Sequence, residues 1–518
     1  MNALTRLAAA PILLTALGCS PTEATRTRPE RVGSPSAFAG DEAGGDGAGS
    51  NARYVFLFIG DGMGYAHVHA AEFYLGQLAA EEEDTLGVPV PLTLSRLPVH
   101  GSSATFAANR LITDSAAAGT ALACGIKTNV EVLAMDSSAT EPCKTLAEAA
   151  KEQGKRVGIV TSVSLDHATP AAFYAHRPSR GHYHDIGMDL ARSPFDYFAG
   201  GGFKAPTKLG ADGTTSEDVL ATASEAGFEI VTTREELAEV EPGRRAIATH
   251  HAVDKDEALY YEMDRPNDHV SLAELTERGI QLLQGPEGFF MMIEGGKIDW
   301  ASHANDARAI VGEVLALDAA VRTAVDFAKG HPQETLIVVT ADHETGGLSL
   351  GFAGTAYSLK PAALRGQRSS YLRFEEATAD YFATRSAEAE LDAEMMSLVF
   401  EHFSLDVDGT ASSDQADDLD VQELAALHAA FQRAASGAGA PSYGSDPDAY
   451  LAYGDRPPLA VTLTHIVGRR AGIAFSSYAH SAAPVPVFAS GHGAERFSGY
   501  YDNTDVAKKL AAAMGADL

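Results

Sequence analysis

The sequence predicts an α/β protein with a mostly parallel central sheet and helices on both of its faces. Short apolar runs rich in β-branched and aromatic residues alternate with longer runs that have helical spacing. Three of the short runs are followed within two residues by an acidic residue. Alternation of this kind is typical of βαβ units, in which helices join parallel strands.

The predicted strands are short and mostly apolar: Tyr54–Gly60, Arg156–Thr161, 288–293, Thr335–Thr340, 461–465 and 485–489. The predicted helices lie between them, at 143–153, 271–283 and 307–327. Ligands of such sheets bind beyond the carboxyl ends of the strands. Asp61, Glu294 and Asp342 each follow a predicted strand, so we expect them at one edge of the sheet.

The pattern changes between residues 354 and 457, which are helical in spacing, acidic and interrupted by loops of low complexity. We interpret this stretch as a helical acidic insertion, of cap or crown type, on the sheet domain. The catalytic domain is then predicted to comprise residues 52–353 and 458–518.

Residues 1–19 have the features of an export signal. A basic residue precedes the apolar stretch 7–17, which is too short to span a bilayer. The stretch ends at a sequence that resembles a bacterial lipoprotein cleavage box with Cys19 as the lipidated residue; ordinary secretory cleavage is the alternative. Residues 20–51 are rich in Ser, Thr, Pro, Gly and charge, which is typical of a flexible linker. Export to the periplasm or the outer surface is therefore expected.

Two further cysteines, Cys124 and Cys143, complete the total of three. In an oxidising compartment they could form a disulfide, whereas a pair of buried free thiols fits the sequence equally.

The composition is that of a globular protein, with 45% hydrophobic and 21% charged residues in a chain of 518. The formal net charge of −31 argues against nucleic-acid binding, because a polyanion would be repelled. Contact with a membrane is expected only through the N-terminal lipid anchor. The acidity has two interpretations: a solubilising surface, or carboxylates that hold bound cations.

Four phrases indicate one metal centre: IGDGMG (59–64), DHATP (166–170), EGGKIDWASH (294–303) and TADHETGG (340–347). Zinc favours imidazole and carboxylate ligands, and magnesium favours oxygen ligands. Asp299 and His303 are four residues apart, so a helical turn would point both at one ion. Asp342 and His343 are adjacent and can share an ion only where a strand ends. Asp61 could bridge two ions, one through each oxygen.

TDSAAAGTA (113–121) places Ser115 at the start of an alanine-rich helix. Serine in that position is usually a helix cap. The alternative is a nucleophile, because the helix N-terminus and a nearby cation would stabilise an alkoxide or a bound phosphate.

These segments resemble those of the alkaline phosphatase family. TDSAAAGTALACGIKT is similar to its nucleophile segment, and GFFMMIEGGKIDWASHANDA and IVVTADHETGGL are similar to its main metal segments. The resemblance covers about residues 54–351 and 459–518. It implies a metal-dependent hydrolase of small phosphate monoesters that acts through a phosphoserine, holds two zinc ions and one magnesium ion, and forms a homodimer.

The resemblance also implies a role for each residue of the motifs. Ser115 would be the phosphorylated nucleophile, and Arg180 would clamp the phosphoryl oxygens. The ions would be held by Asp299, His303 and His480 (the zinc that activates water), by Asp61, Asp342 and His343 (the zinc beside the serine), and by Asp61, His167, Thr169 and Glu294 (magnesium). A gap-free alignment of HSAAPVPVFASG selects His480 over His492. Position 167 varies between aspartate and histidine in the family, so another metal at the third site is an alternative.

A second metal feature is considered within the insertion. The acidic loop from Asp406 to Glu423, between helical patterns, resembles a calcium-binding helix–loop–helix. Its glycine comes too early and the loop is too long, so a solvated acidic loop is favoured.

Three other functions are considered: a phosphodiesterase of the same superfamily, a sulfatase, and a non-catalytic, surface-tethered metal-binding protein. The sulfatase signature is absent. A serine together with an arginine clamp favours monoesters over diesters.

Overall fold

The apolar run Tyr54–Gly60 forms a central strand of a ten-stranded sheet in the computed structural model of the protein. The structure describes residues 51–518 except 84–86, 210–214, 251, 386–388, 408, 410–416 and 439–440. The predicted export signal and, apart from Asn51, the predicted linker lie outside the described residues. Within the described part of the chain, every helix falls short of the length and apolar character required to traverse a bilayer.

Within the described ranges the chain forms eighteen strands, numbered in chain order. They are β1 Tyr54–Gly60, β2 Val99–Ala104, β3 Arg156–Thr161, β4 Tyr197–Gly200, β5 Thr207–Leu209, β6 Thr215–Asp218, β7 Phe228–Val231, β8 Arg245–Thr249, β9 Phe289–Gly295, β10 Thr335–Thr340, β11 Glu344–Thr345, β12 Ser349–Leu350, β13 Leu405–Asp406, β14 Asp417–Asp418, β15 Ile473–Ala474, β16 His480–Ser481, β17 Val485–Gly491 and β18 Gly499–Asp502.

The main sheet has the strand order β18-β2-β17-β10-β1-β9-β3-β4-β8-β7. Only β17 runs against its neighbours, so the sheet is mixed and mostly parallel, as predicted. The four central strands β10, β1, β9 and β3 pair in parallel. Their carboxyl ends therefore meet at one edge.

The residues described by the structure include sixteen α-helices. They are α1 Tyr65–Glu83, α2 Ser115–Cys124, α3 Leu146–Glu152, α4 Ala168–Ala171, α5 Tyr183–Arg192, α6 Val219–Glu225, α7 Arg234–Glu239, α8 Leu272–Leu283, α9 Lys297–His303, α10 Ala307–Gly330, α11 Tyr371–Ala383, α12 Ala393–Phe403, α13 Val421–Ala435, α14 Pro447–Tyr453, α15 Pro458–Ala471 and α16 Asn503–Met514.

Helices pack on both faces of the sheet because successive side chains of a strand point to opposite sides. In β1, Phe56 and Phe58 join a core shared with α8 and α10. Val55 and Leu57 join a second core shared with α2 and α16. All four side chains are fully buried.

One predicted strand is wrong. Residues 461–465 lie inside α15, which begins at Pro458, where proline is tolerated in the first turn. Leu459, Leu463 and Ile466 are buried at helical spacing. A short apolar run cannot be assigned by its periodicity alone, and here the longer helical pattern decides.

Five strands of the sheet, β2, β4, β7, β8 and β18, fall outside the predicted runs. The strands β4 and β7 have only four residues each, and β2 is partly polar and partly exposed. Such segments lack the long apolar pattern on which the prediction depends.

Between residues 354 and 457 the described structure contains α11 to α14 and the short strands β13 and β14. The helices α11 and α13 pack against α15. The limits of an insertion at 354 and 457 stay a prediction.

A disulfide joins Cys124, the last residue of α2, to Cys143, and their Cα atoms are 6.0 Å apart. The structure thus decides between the two alternatives left open by the sequence. The bond ties the end of the helix that begins at Ser115 to the segment that precedes α3.

Candidate metal centre

Carboxylates collect where the central strands end. Asp61 follows β1, Glu294 is the penultimate residue of β9, and Asp342 lies two residues beyond β10. All three side chains, and that of the adjacent His343, have no exposed surface. Because β1 pairs in parallel with both β9 and β10, the prediction that these groups share one edge is confirmed.

The helix α9 presents Asp299 and His303 on one face, as their spacing predicts. His303 Nε2 lies 3.3 Å from Asp299 Oδ2, and His480 Nε2 lies 3.6 Å from Asp299 Oδ1. His480 reaches this position because β16 pairs with β11, where it stands opposite Thr345. Ligand atoms of these three residues lie within 4.8 Å of one another and could hold one ion.

His492 lies elsewhere. It follows β17, which runs antiparallel to β10, and its backbone N–H donates to the carbonyl of Thr335 at 2.8 Å. Thr335 begins β10, so His492 is at the opposite edge of the sheet from Asp342. The structure brings His480, and not His492, to the cluster.

Three histidines of the centre, His303, His480 and His343, present Nε2 to it because their Nδ1 atoms are engaged. His303 Nδ1 donates to the carbonyl of Tyr478 at 2.5 Å, and His480 Nδ1 donates to that of Thr113 at 2.8 Å. His343 Nδ1 lies 3.2 Å from the hydroxyl of Thr345, which itself donates to Asp299 Oδ1 at 2.5 Å. The proton therefore sits on Nδ1, and the lone pair of Nε2 is available to a metal.

Thr345 is a functional residue that the sequence reasoning missed. Its hydroxyl joins Asp299 to His343 and so orients groups from two of the four phrases. Its place in TADHETGG, two residues after a metal-ligand candidate, was the available signal.

Ser115 is the first residue of α2 and is 2% exposed. The cap of this helix is Asp114, whose Oδ1 accepts from the N–H of Ala117 at 3.0 Å. Ser115 is thus not needed as a cap, and its hydroxyl turns to the centre, 3.3 Å from His343 Nε2. It lies where the helix dipole favours negative charge.

Asp61 and Asp342 flank the same imidazole. His343 Nε2 is 3.5 Å from Asp61 Oδ1 and 3.2 Å from Asp342 Oδ2. The other oxygen of Asp342 accepts from the backbone N–H groups of Gly62 and His343. Asp61 Oδ1 and Asp342 Oδ2 are buried without a hydrogen-bond partner. Buried carboxylate oxygens normally have a partner, so these atoms fit a cation.

The predicted third site is assembled around Asp61 as well. Asp61, His167 and Glu294 offer ligand atoms within 4.8 Å of one another, and Thr169 Oγ1 donates to Asp61 Oδ2 at 3.1 Å. Glu294 Oε1 and His167 Nδ1 are buried and unpartnered, while Thr161 Oγ1 holds the other oxygen of Glu294. This donor set fits a hard cation, with one nitrogen among oxygens.

A further group of ligand atoms lies between the other two and consists of Asp61, Asp299 and His343. For the zinc ion beside the serine, the resemblance implies Asp342 in place of Asp299. Both carboxylates border His343, through the contact of Asp342 Oδ2 and through Thr345. Asp61 and Asp299 each belong to two groups, so the three groups form one continuous centre.

The electrostatics of these groups also favour bound cations. Burial, reinforced by the neighbouring carboxylates, raises the pKa of Asp342 to about 8 and the pKa of Asp61 well above its usual range. Burial also raises the pKa of Glu294 to about 7. Burial opposes ionisation of Asp299 too, but His303, His480 and His343 outweigh it, and its pKa is lowered well below the usual range. Divalent cations would relieve the repulsion among these carboxylates.

Arg180 is held at the same place by its backbone and its side chain. Its N–H donates to the carbonyl of Glu131 at 2.8 Å, and its guanidinium lies 3.3 Å from both Asp114 Oδ2 and His167 Nε2. The side chain is 19% exposed. Its fork therefore borders the space in front of Ser115, as a phosphoryl clamp requires.

That space is a cavity of about 250 Å³. It is lined by Ser115, His167, Arg180, Lys204, Asp256, Asp299, Trp300, His303, Tyr371, Arg456 and His480. Lys204, Asp256, Tyr371 and Arg456 were not predicted. They come from loops and from the 354–457 stretch and belong to none of the four phrases, so no local pattern pointed to them.

A serine at a helix N-terminus, an arginine fork and buried ligand groups at the strand ends of an α/β sheet define a metal-dependent hydrolase. The chain belongs to the alkaline phosphatase family, whose profile matches residues 52–516, and is therefore a phosphoric monoester hydrolase.

Relatives of similar length support the assignment. The chain is 29% identical over 469 residues to alkaline phosphatase 3 of Bacillus subtilis, with 89% of each chain covered. It is 32% identical over 345 residues to the human tissue-nonspecific alkaline phosphatase, with 56% of this chain and 63% of the relative covered.

Solved structures show the same fold. The Thermus thermophilus alkaline phosphatase superposes with a TM-score of 0.72 and 27% identity, covering 91% of this chain and 93% of that one. The cold-active enzyme of a Shewanella species gives 0.71 and 26%, covering 89% and 99%. A histidine-to-aspartate variant of the phosphatase from the Antarctic bacterium TAB5 (TM-score 0.56, 26% identity, coverage 90% and 99%) has Mg bound in its M3 site.

Proposed function

We propose that this phosphatase acts through a phosphoserine on Ser115, with two zinc ions and one magnesium ion. The observation that carries the proposal is the position of the Ser115 hydroxyl. It lies 3.3 Å from His343 Nε2, faces the cavity that Arg180 borders, and is not used as a helix cap.

The proposed ligand sets follow the clusters. Asp299, His303 and His480 would hold one zinc ion, and Asp61, Asp342 and His343 the other. Asp61, His167, Thr169 and Glu294 would hold magnesium. The TAB5 variant with Mg in its M3 site carries aspartate in place of a histidine, whereas the site proposed here keeps a histidine, so magnesium rests on the oxygen donors around it. When bound, the ions would polarise the phosphoryl oxygens and lower the pKa values of the serine hydroxyl and of water.

The chain's own residues supply the remaining chemistry. Arg180 would bind two phosphoryl oxygens through its fork and place phosphorus in line with Ser115 Oγ. The oxygen of Ser115 attacks phosphorus, the bond to the alcohol oxygen breaks, and a phosphoserine forms. Water then attacks from the vacated side, releasing inorganic phosphate and restoring the hydroxyl. The N-terminal N–H groups of α2 stabilise negative charge at Ser115 in both steps.

Replacement of the nucleophile tests this proposal. We expect Ser115→Ala to lose hydrolysis of p-nitrophenyl phosphate by at least three orders of magnitude and to form no acid-stable phosphoenzyme. Ser436→Ala, at an exposed position after α13, is the matched control and should behave as the wild type. Unchanged turnover in Ser115→Ala, with zinc and magnesium present, would remove this serine from the mechanism.

The same assay addresses the phosphodiesterase and the non-catalytic binding protein. Arg180 would bind two phosphoryl oxygens of a monoester, and in a diester one of the corresponding oxygens carries a second substituent, so we expect bis-p-nitrophenyl phosphate to be hydrolysed much more slowly than the monoester. Faster hydrolysis of the diester would favour the phosphodiesterase. Metal-loaded protein that hydrolyses neither substrate would favour the binding protein.

We also propose that the protein is exported. The disulfide Cys124–Cys143 supports this, because disulfides persist in oxidising compartments. The lipid anchor at Cys19 and the homodimer stay predictions; mass spectrometry of the mature N-terminus and light scattering of the purified protein test them.

The calcium loop also stays a prediction, because residues 408 and 410–416 lie outside the described part of the chain. Two carboxylates of this loop already bind other groups of the protein. Asp420 caps α13, and Glu423 forms an ion pair with Arg470 at 2.6 Å.

A further inference from the structure

Arg456 lies just before α15 and lines the same cavity as Ser115 and Arg180. Its side chain is 30% exposed. Its Nε is buried without a hydrogen-bond partner. Asp455 Oδ1 lies 3.3 Å from that atom, but the Asp455 side chain is 65% exposed, so the ion pair is weak.

The guanidinium of Arg456 interacts with Tyr371, another residue of the cavity wall: against the larger effect of burial, it lowers the pKa of Tyr371. Burial opposes the charge of Arg456 itself, but Tyr371, Asp455 and Glu375 raise the pKa of Arg456, so the group stays charged where it lines the cavity.

The other basic residues of the cavity already have partners there. Arg180 contacts Asp114 and His167. Lys204 Nζ lies 3.8 Å from Asp256 Oδ1 and 5.5 Å from the centre of the Trp300 ring. Arg180 and Lys204 thus each have a partner among the residues that line the cavity, whereas Asp455, the ion-pair partner of Arg456, is not among them.

We propose that Arg456 binds a second negatively charged group, a carboxylate or a further phosphate, on the alcohol part of the substrate. This inference rests on the proposed function, in which Ser115 and Arg180 bind the phosphate that is removed. A planar guanidinium suits this task because its parallel N–H groups match the two oxygens of such an anion. The preferred substrates would be small phosphate monoesters with two anionic ends.

The size and charge of the molecule agree with this class. The cavity of about 250 Å³ is smaller than the roughly 300–1,000 Å³ typical of ligand pockets, so both ends of a short substrate can contact its walls. The net charge of −31 repels anions at a distance. A dianionic substrate therefore needs positive charge within the cavity itself, beyond that of the phosphate site.

A matched pair of substrates tests the proposal. Glycerol 3-phosphate and 3-phosphoglycerate share a three-carbon skeleton with a terminal phosphate, and the second carries a carboxylate at its other end. The measured quantity is the ratio of kcat/KM for phosphoglycerate to kcat/KM for glycerol phosphate. A general loss of activity cancels in this ratio.

We expect Arg456→Gln to lower the ratio about tenfold or more, mainly through KM for phosphoglycerate, because hydrogen bonds to charged groups are among the stronger ones. Arg456→Lys, which keeps the charge but loses the fork, should give an intermediate ratio. The matched control is Arg469→Gln, an exposed arginine of α15 that lines a different cavity, and it should leave the ratio within twofold of the wild type.

Three outcomes would overturn the proposal. If Arg456→Gln hydrolyses both substrates with the wild-type ratio, Arg456 does not bind the second anion. If Arg469→Gln lowers the ratio equally, the effect is one of overall charge. If the metal-loaded wild type hydrolyses neither these substrates nor p-nitrophenyl phosphate, the proposed function itself fails.

Discussion

Lys297 is a fully buried cation and the first residue of α9, the helix that carries Asp299 and His303. Its Nζ lies 2.5 Å from Asp254 Oδ2, donates to the carbonyl of Leu259 at 2.7 Å, and sits 3.8 Å from the centre of the Tyr261 ring. The Asp254 side chain is equally buried. We predict that Lys297→Met, which retains the length of the side chain but removes the charge, is strongly destabilising.

The magnitude follows from the burial of both charges. At 2.5 Å and an effective dielectric constant of about 20, two unit charges attract by roughly 7 kcal/mol, most of which offsets their desolvation. Removing one partner leaves an unpaired buried charge and costs about 3–5 kcal/mol. The loss should appear as a lower free energy of unfolding in urea, measured on metal-loaded protein.

The double variant Lys297→Met, Asp254→Asn identifies the cause. Without the buried carboxylate, much of the lost stability should return, because the penalty comes from the unpaired charge. Lys329→Met is the matched control. Its ion pair with Asp326 is 2.6 Å long, but the two side chains are 72% and 58% exposed, so the change should cost at most about 1 kcal/mol. A loss below 1 kcal/mol in Lys297→Met, or a double variant no more stable than the single one, would refute the reasoning.

Two further predictions concern metal and pH. Removal of the ions by a chelator should lower the melting temperature at neutral pH, because Asp61 and Asp342 lose the cations that offset their repulsion. Addition of zinc and magnesium should restore the melting temperature. Identical melting curves with and without the chelator would contradict a metal centre here. Burial raises the pKa of Asp306 from 3.8 to about 6, so the folded state holds a proton that the unfolded state releases, and stability falls as pH rises through this interval. The stability of the wild type relative to Asp306→Asn should therefore decrease by about 2 kcal/mol between pH 4 and 6 in urea titrations; a difference that does not vary with pH would show that this carboxyl keeps its ordinary pKa.

The sequence predicts those parts of the structure whose residue pattern is local. The strands β1, β9 and β10, whose carboxyl ends lie at or beside Asp61, Glu294 and Asp342, are continuous apolar runs. The spacing of Asp299 and His303 indicates a helical turn. The run 461–465 is equally apolar but belongs to a helix, because the surrounding residues, and not the run itself, determine its packing.

The remaining parts of the site depend on contacts between distant segments. Thr345 becomes important only because Asp299 and His343 converge on its hydroxyl. Arg456 enters the cavity only because the stretch after α14 returns to the sheet domain. A single sequence contains no local pattern that reports either contact, whereas the placement of His480 rested on resemblance to a known family.

Three segments of the chain meet on the carboxylate of Asp114. One oxygen holds the first turn of α2, and the other accepts from the N–H of Glu131 and contacts the guanidinium of Arg180. One side chain thereby fixes the spacing between Ser115, the proposed nucleophile, and the guanidinium of Arg180, the proposed phosphate-binding group. Because both groups depend on Asp114, a substitution at Asp114 would displace Ser115 and Arg180 together. Substrate specificity can then diverge most easily at cavity residues outside the four phrases, such as Lys204, Asp256 and Arg456. These residues can change without altering the spacing between Ser115 and Arg180.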